Sequence, residues 1–152
     1  MYIQPVGAYA SRTGSAGWGL SLRDESELGI PRWTYRADVG YDRINGVGNV
    51  RSYVHQSLVF NLVHYSSIEF NRAFYEFAGL GVHTVQTTLN ATTSTFNRRL
   101  ALNDLALGGQ AGIGLNFVIG KIQSFAEVAI IGVGVTETGN STWVPIKLGL
   151  RF

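Results

Sequence analysis

The stretch W-V-P-I-K-L-G-L-R-F, Trp143 to Phe152, decides how the chain is read. Side chains alternate between the two faces of a strand. Val144, Ile146, Leu148, Leu150 and Phe152 therefore share one face, and Trp143, Pro145, Lys147, Gly149 and Arg151 share the other. The first face is wholly apolar; the second carries two cations. In a soluble sandwich the apolar face would turn inward and the cations would meet water. In a transmembrane barrel the roles exchange, so that the apolar face meets lipid and the polar face meets the lumen. One strand fits either architecture, and the remaining segments must choose.

Upstream, the same alternation recurs. Trp33, Tyr35, Ala37, Val39 and Tyr41 oppose Thr34, Arg36, Asp38, Gly40 and Asp42. Aromatics stand near both ends of that apolar face with small residues between, the pattern of two interfacial girdles flanking a hydrocarbon layer. Gly17 to Arg23 places Trp18, Leu20 and Leu22 against Gly19, Ser21 and Arg23. Val50 to His64, Phe74 to Gln86 and Leu105 to Phe117 alternate as well, with Gln56 interrupting the first. Phe125 to Val135 is apolar on both faces, and Glu127 marks one of them as the interior. With Tyr2 to Ser11 the strand count is eight, each about the length that crosses a bilayer at a tilt. Asn45-Gly46 is a hairpin turn signal. Arg12 to Ala16, Asp24 to Arg32, Thr87 to Asn103 and Thr136 to Thr142 are expected to be connections. The longest of these falls at the end opposite both termini, where outer-membrane barrels carry their longer loops.

Composition supports the inverted arrangement. Of 152 residues, 45% are hydrophobic and only 14% charged, against about 25% charged in an ordinary soluble domain. Glycine contributes 19 residues, well above the usual share of about 7%. No apolar run approaches the ~18 residues of a membrane helix. A charge-poor, glycine-rich chain that must satisfy its backbone in lipid without such a helix has the closed barrel left to it. The expected fold is thus an all-β, eight-stranded antiparallel up-and-down transmembrane β-barrel, a single domain over 1–152. A net charge of +2 without a Lys/Arg run argues against nucleic acid as a partner. Cysteine is absent and no two histidines stand at ligand spacing, so neither a metal nor another cofactor is expected. The N-terminus lacks a charged segment followed by an apolar one, as a mature exported chain restarted with methionine would, and as a cytosolic protein would.

Three stretches carry a resemblance: Tyr75 to Val82 (Y-E-F-A-G-L-G-V), Phe125 to Val128 (F-A-E-V) and Pro145 to Phe152 (P-I-K-L-G-L-R-F). With them the chain resembles the small eight-stranded outer-membrane barrels of the OmpA/OmpX type. That resemblance implies the outer membrane of a Gram-negative bacterium and a porin-like build surrounded by outer-membrane lipid. It also implies that Ile146, Leu148, Leu150 and Phe152 form the C-terminal signal read by the barrel-assembly machinery.

The expected lumen carries Arg36, Asp38, Arg51, His55, Gln110, Asn116, Glu127, Lys147 and Arg151. Eight strands enclose a space just wide enough for side chains to fill, and charges buried there must pair. Glu127 on the seventh strand is expected beside Lys147 or Arg151 on the eighth, and Asp38 beside Arg36. These five residues form the expected lumen charge network, read as a polar plug or as a narrow ion path. The one catalytic alternative is His64, Ser66 and Glu76. A hairpin pivoting near Phe70 would set residue 64 opposite residue 76, and the carboxylate could then orient the imidazole beside a hydroxyl. The string H-Y-S resembles the active-site segment of outer-membrane lipid A deacylases, although there it lies near the C-terminus. The strand count also puts this hairpin on the periplasmic side, away from lipid A.

The function expected is therefore a membrane scaffold whose exterior loops, Thr87 to Asn103 and Thr136 to Thr142, contact surface ligands. Its rivals are a lipid-modifying hydrolase and a soluble calycin-like carrier of an apolar ligand.

Overall fold

The structure, a computed structural model, describes the backbone of residues 2–10, 15–45, 50–69, 73–89, 101–134 and 141–151; side chains are described for 16–45, 52–69, 73–88, 105–134 and 142–150. All the regular structure among them is β: β1 (Tyr2–Ala10), β2 (Ser15–Glu27), β3 (Trp33–Asn45), β4 (Val50–Tyr65), β5 (Phe74–Leu89), β6 (Ala101–Ile119), β7 (Ile122–Val133) and β8 (Ser141–Arg151). Each strand pairs antiparallel with its sequence neighbour, and β1 pairs with β8, so the sheet returns on itself as a barrel.

The period of two sets which side chains meet the interior. Along β3, Thr34, Arg36, Asp38, Asp42 and Ile44 are buried, while Trp33, Tyr35, Val39, Tyr41 and Arg43 are exposed. The exchange of roles holds around the wall: Leu80 and Leu107 are 77% and 78% exposed, whereas Arg36 is 0% and Glu127 2% exposed. A continuous apolar outer surface of this kind needs a cover other than water. Trp18 and Tyr41 stand together towards one end of the barrel, their ring centroids 6.2 Å apart. Trp33 and His64 stand towards the other, 4.8 Å apart.

The strands overrun several expected boundaries. β2 begins at Ser15 and continues to Glu27, so the connection to β3 is 28–32 rather than Asp24 to Arg32. β5 extends to Leu89 and β6 starts at Ala101, taking both ends of the expected Thr87–Asn103 loop into the sheet; the remainder, 90–100, lies outside the described residues. Ser141 and Thr142 likewise belong to β8, and 135–140 lie outside the described residues. The reason is physical. A ladder that is already paired continues through polar Thr and Asn residues, because its backbone bonds do not depend on which side chains it carries.

The interior also differs from a uniformly polar plug. One apolar cluster joins Ile44, Val85, Ile131, Val133 and Trp143; a second joins Val63, Tyr65, Ala73, Tyr75, Phe77 and Ala129. The second depends on close approach by β6. A Cβ at Gly112 would collide with the Phe77 ring, and one at Gly114 with the Tyr75 ring. These two glycines leave the volume that the aromatics fill.

Candidate functional site

Against the second apolar cluster lies a belt of ionised side chains drawn from four strands. Arg23 on β2 donates from Nε to Asp38 Oδ1 at 2.8 Å and from Nη2 to both oxygens of Glu127 at 3.1 and 2.9 Å. Arg36 on β3 donates from Nε to Asp38 Oδ2 at 3.1 Å and from Nη1 to Glu127 Oε2 at 3.0 Å. Tyr75 Oη donates to the same Glu127 oxygen at 3.0 Å, and Lys147 Nζ stands 3.9 Å from the other. Asn61 and Gln110 amides complete the shell of Asp38, at 2.9 and 3.3 Å. Both guanidiniums are flanked by aromatics: Arg23 lies over Phe125 at 4.6 Å and Arg36 over Phe77 at 4.2 Å. The planar fork of arginine suits this role, since it bonds in its plane and stacks on its face.

Of the five residues expected in the charge network, Arg36, Asp38, Glu127 and Lys147 come together. Arg151 pairs by backbone with Tyr2 and Gln123, but its side chain lies outside the described residues, as does that of Arg51. The centre of the network, Arg23, was absent from the expected set. It had a signal: the polar side of the Trp18, Leu20, Leu22 alternation points it inward. Tyr75 had none, because a tyrosine on a half-apolar strand does not announce which carboxylate its hydroxyl will reach.

A second interior group sits on the Trp143 side of the belt. His55 Nδ1–H donates to Asp42 Oδ2 at 2.9 Å, and His55 Nε2 accepts from His83 Nδ1–H at 2.8 Å. The carboxylate sets the tautomers in turn, which leaves His83 Nε2 buried without a hydrogen-bond partner. No cluster of three or more His, Cys, Asp or Glu among the described residues could hold a metal ion.

The third group is on the outside. The register sets His64 directly opposite Glu76, and His64 Nδ1–H donates to Glu76 Oε1 at 3.3 Å. Ser66 follows two residues after His64, exposed, with its backbone N–H donating to the Phe74 carbonyl at 2.8 Å. An imidazole and a carboxylate are thus paired on the outer wall, with a hydroxyl just beyond them in the chain. An apolar depression of about 720 Å³ adjoins the pair, lined on its outer side by Trp33, Leu62, Ala78, Ala111 and Ile113.

No protein-family model and no curated protein matches the chain. Solved structures do. The outer membrane enzyme PagL is similar over 100% of both chains, with a TM-score of 0.76 at 15% identity. The N-terminal β-barrel domain of Pseudomonas aeruginosa OprF follows at 0.59 and 14%, covering 99% of this chain and 96% of that one. Neisserial surface protein A is similar at 0.55 and 13%, with the same coverage. At these identities the likeness is one of fold, and the fold is that of the small outer-membrane β-barrels.

Proposed function

We propose that the chain is an eight-stranded barrel of a bacterial outer membrane, a scaffold with a structurally filled interior and its working surfaces on the outer wall and exterior loops. The observation that supports this reading is the exchange of faces: leucines and isoleucines cover the outside while two arginines, a lysine, an aspartate and a glutamate are enclosed. Water rewards the opposite arrangement, and hydrocarbon rewards this one. Under this reading the alternating C-terminal segment engages the barrel-assembly machinery during insertion. The loops expected at Thr87 to Asn103 and Thr136 to Thr142, whose central parts lie outside the described residues, are proposed to meet surface ligands.

The lumen is proposed to be sealed rather than conducting. The belt crosses the lumen as a mutually paired set of ionised side chains, and the Ile44, Val85, Ile131, Val133 and Trp143 cluster fills the interior further along, so an ion would have to break those pairs and shed its water to pass. Two measurements test the reading together. Purified protein should need detergent and migrate differently with and without heating. In planar bilayers it should show no conductance steps, and Glu127→Gln should open none. A chain that remains monomeric in buffer without detergent is a soluble carrier, and regular conductance steps in the unmodified protein would revive the narrow pore.

A second reading has its own observation. The His64–Glu76 hydrogen bond beside Ser66 supports a lipid-ester hydrolase on the outer wall, and the fold likeness extends to an outer membrane enzyme. His64 would act as general base, Glu76 would hold its tautomer and Ser66 would attack the acyl carbonyl. The Ser66 hydroxyl would have to swing to His64, as catalytic bonds often tighten only with substrate bound. Fatty-acid release from lipid micelles should then vanish in Ser66→Ala and His64→Ala at unchanged folding yield. Release that survives Ser66→Ala removes this assignment.

A further inference from the structure

The cross-strand registers draw the outer wall near His64 as a grid. Trp33, His64, Glu76, Ile113 and Val128 form one row around the barrel. The next row along the strands is Tyr35, Leu62, Ala78, Ala111 and Ile130, and the one after is Ala37, Phe60, Leu80, Gly109 and Gly132. Small side chains therefore line up: Ala78 and Ala111 in one row, Gly109 and Gly132 in the next. Bulky ones flank them. A second depression, of about 880 Å³, covers this upper stretch and shares Leu62, Ala78, Ala111 and Ile130 with the first. The two make a continuous apolar groove that runs along the wall and ends at the Glu76 carboxylate.

The polar end of the groove carries both signs of charge. Glu76 is largely exposed and already pairs with His64. Arg32 is exposed in the turn before β3, and its backbone is tied to the neighbouring hairpin, where its carbonyl accepts the Tyr65 N–H at 2.9 Å. An acyl-sized groove that ends at a paired carboxylate and imidazole, with an exposed arginine in the adjoining turn, is complementary to a zwitterion with a tail. We infer that this groove seats one zwitterionic glycerophospholipid, its acyl chain over Ala78, Ala111 and Gly109, its ammonium at Glu76 and its phosphate towards Arg32 and His64. The β4–β5 hairpin lies at the end that carries both termini, which places the headgroup in the periplasmic leaflet. The ligand class is accordingly a glycerophospholipid, not the glycolipid of the outer leaflet. The inference rests on the membrane reading proposed above and does not require that the lipid be cleaved.

The test uses the full chain purified in detergent and exposed to equal amounts of phosphatidylethanolamine and phosphatidylglycerol with the same acyl chains. Retained lipid is read by native mass spectrometry. Wild type is expected to keep one phosphatidylethanolamine in preference to phosphatidylglycerol. Ala111→Phe and Ala78→Phe, which fill the groove, should lose retention of both, while Leu105→Phe, exposed elsewhere on the outer wall, should not. Glu76→Gln should keep a lipid but lose the headgroup preference. Equal retention of both lipids by wild type, or retention unchanged in both groove variants, overturns the inference. The membrane reading fails separately, by solubility without detergent before any lipid is added. The hydrolase reading fails separately too, by absence of released fatty acid while retention is intact.

Discussion

Replacing Glu127 with leucine is expected to destabilise the barrel by about 3–5 kcal/mol, the range measured when one partner of a buried ion pair is removed. Glu127 accepts from Arg23, Arg36 and Tyr75 and faces Lys147 at 3.9 Å. Its loss leaves three buried cations facing Asp38 alone among the described carboxylates of the belt. Leucine offers no acceptor, so the two guanidiniums keep their desolvation cost and lose most of their compensation. Urea unfolding in lipid vesicles, followed by tryptophan fluorescence, measures the effect. Glu127→Gln, which retains a carbonyl acceptor, should fall between leucine and wild type. Arg36→Met combined with Glu127→Leu should cost less than the sum of the two, since the groups share one network. A Glu127→Leu protein that unfolds at the wild-type urea concentration would show that the belt is hydrated rather than enclosed.

Leu148→Arg is the complementary experiment on the outside. Leu148 sits between Ile146 and Leu150 on the outer face of β8, paired across to Ala126, and is 57% exposed. Against hydrocarbon near the midplane a cation there costs about 2–4 kcal/mol. Against water the same substitution would be nearly neutral. Comparison with Leu148→Ala separates the charge from the lost apolar contact. Equal folding yields of the two variants in vesicles would show that this face does not meet lipid.

Glu127→Leu and Leu148→Arg probe the two sides of one wall, and the two sides were not equally legible. Assignment to a face follows from parity alone. Trp33, Tyr35 and Val39 stand outside and Arg36 and Asp38 inside because a strand has no other way to place them. The lateral pairing of His64 with Glu76 follows from one hairpin pivot. Boundaries were harder, because a polar residue can end a strand or continue it, and Thr87, Thr88 and Ser141 do the second.

Alternation in the sequence thus determined the all-β class, the face each side chain takes and the enclosure of charge within an apolar shell. The local period of a strand is independent of anything far away. The tertiary structure alone decided who meets whom across the lumen. Arg23 reaches Glu127, 104 positions along the chain, because the curvature of the sheet and the pairing of β1 with β8 bring β2 and β7 within reach across the lumen. The gathering of Ala78, Ala111, Gly109 and Gly132 into one groove was decided in the same way. Each is an unremarkable small residue in its own strand, and only the registers of the two ladders joining β5, β6 and β7 line them up.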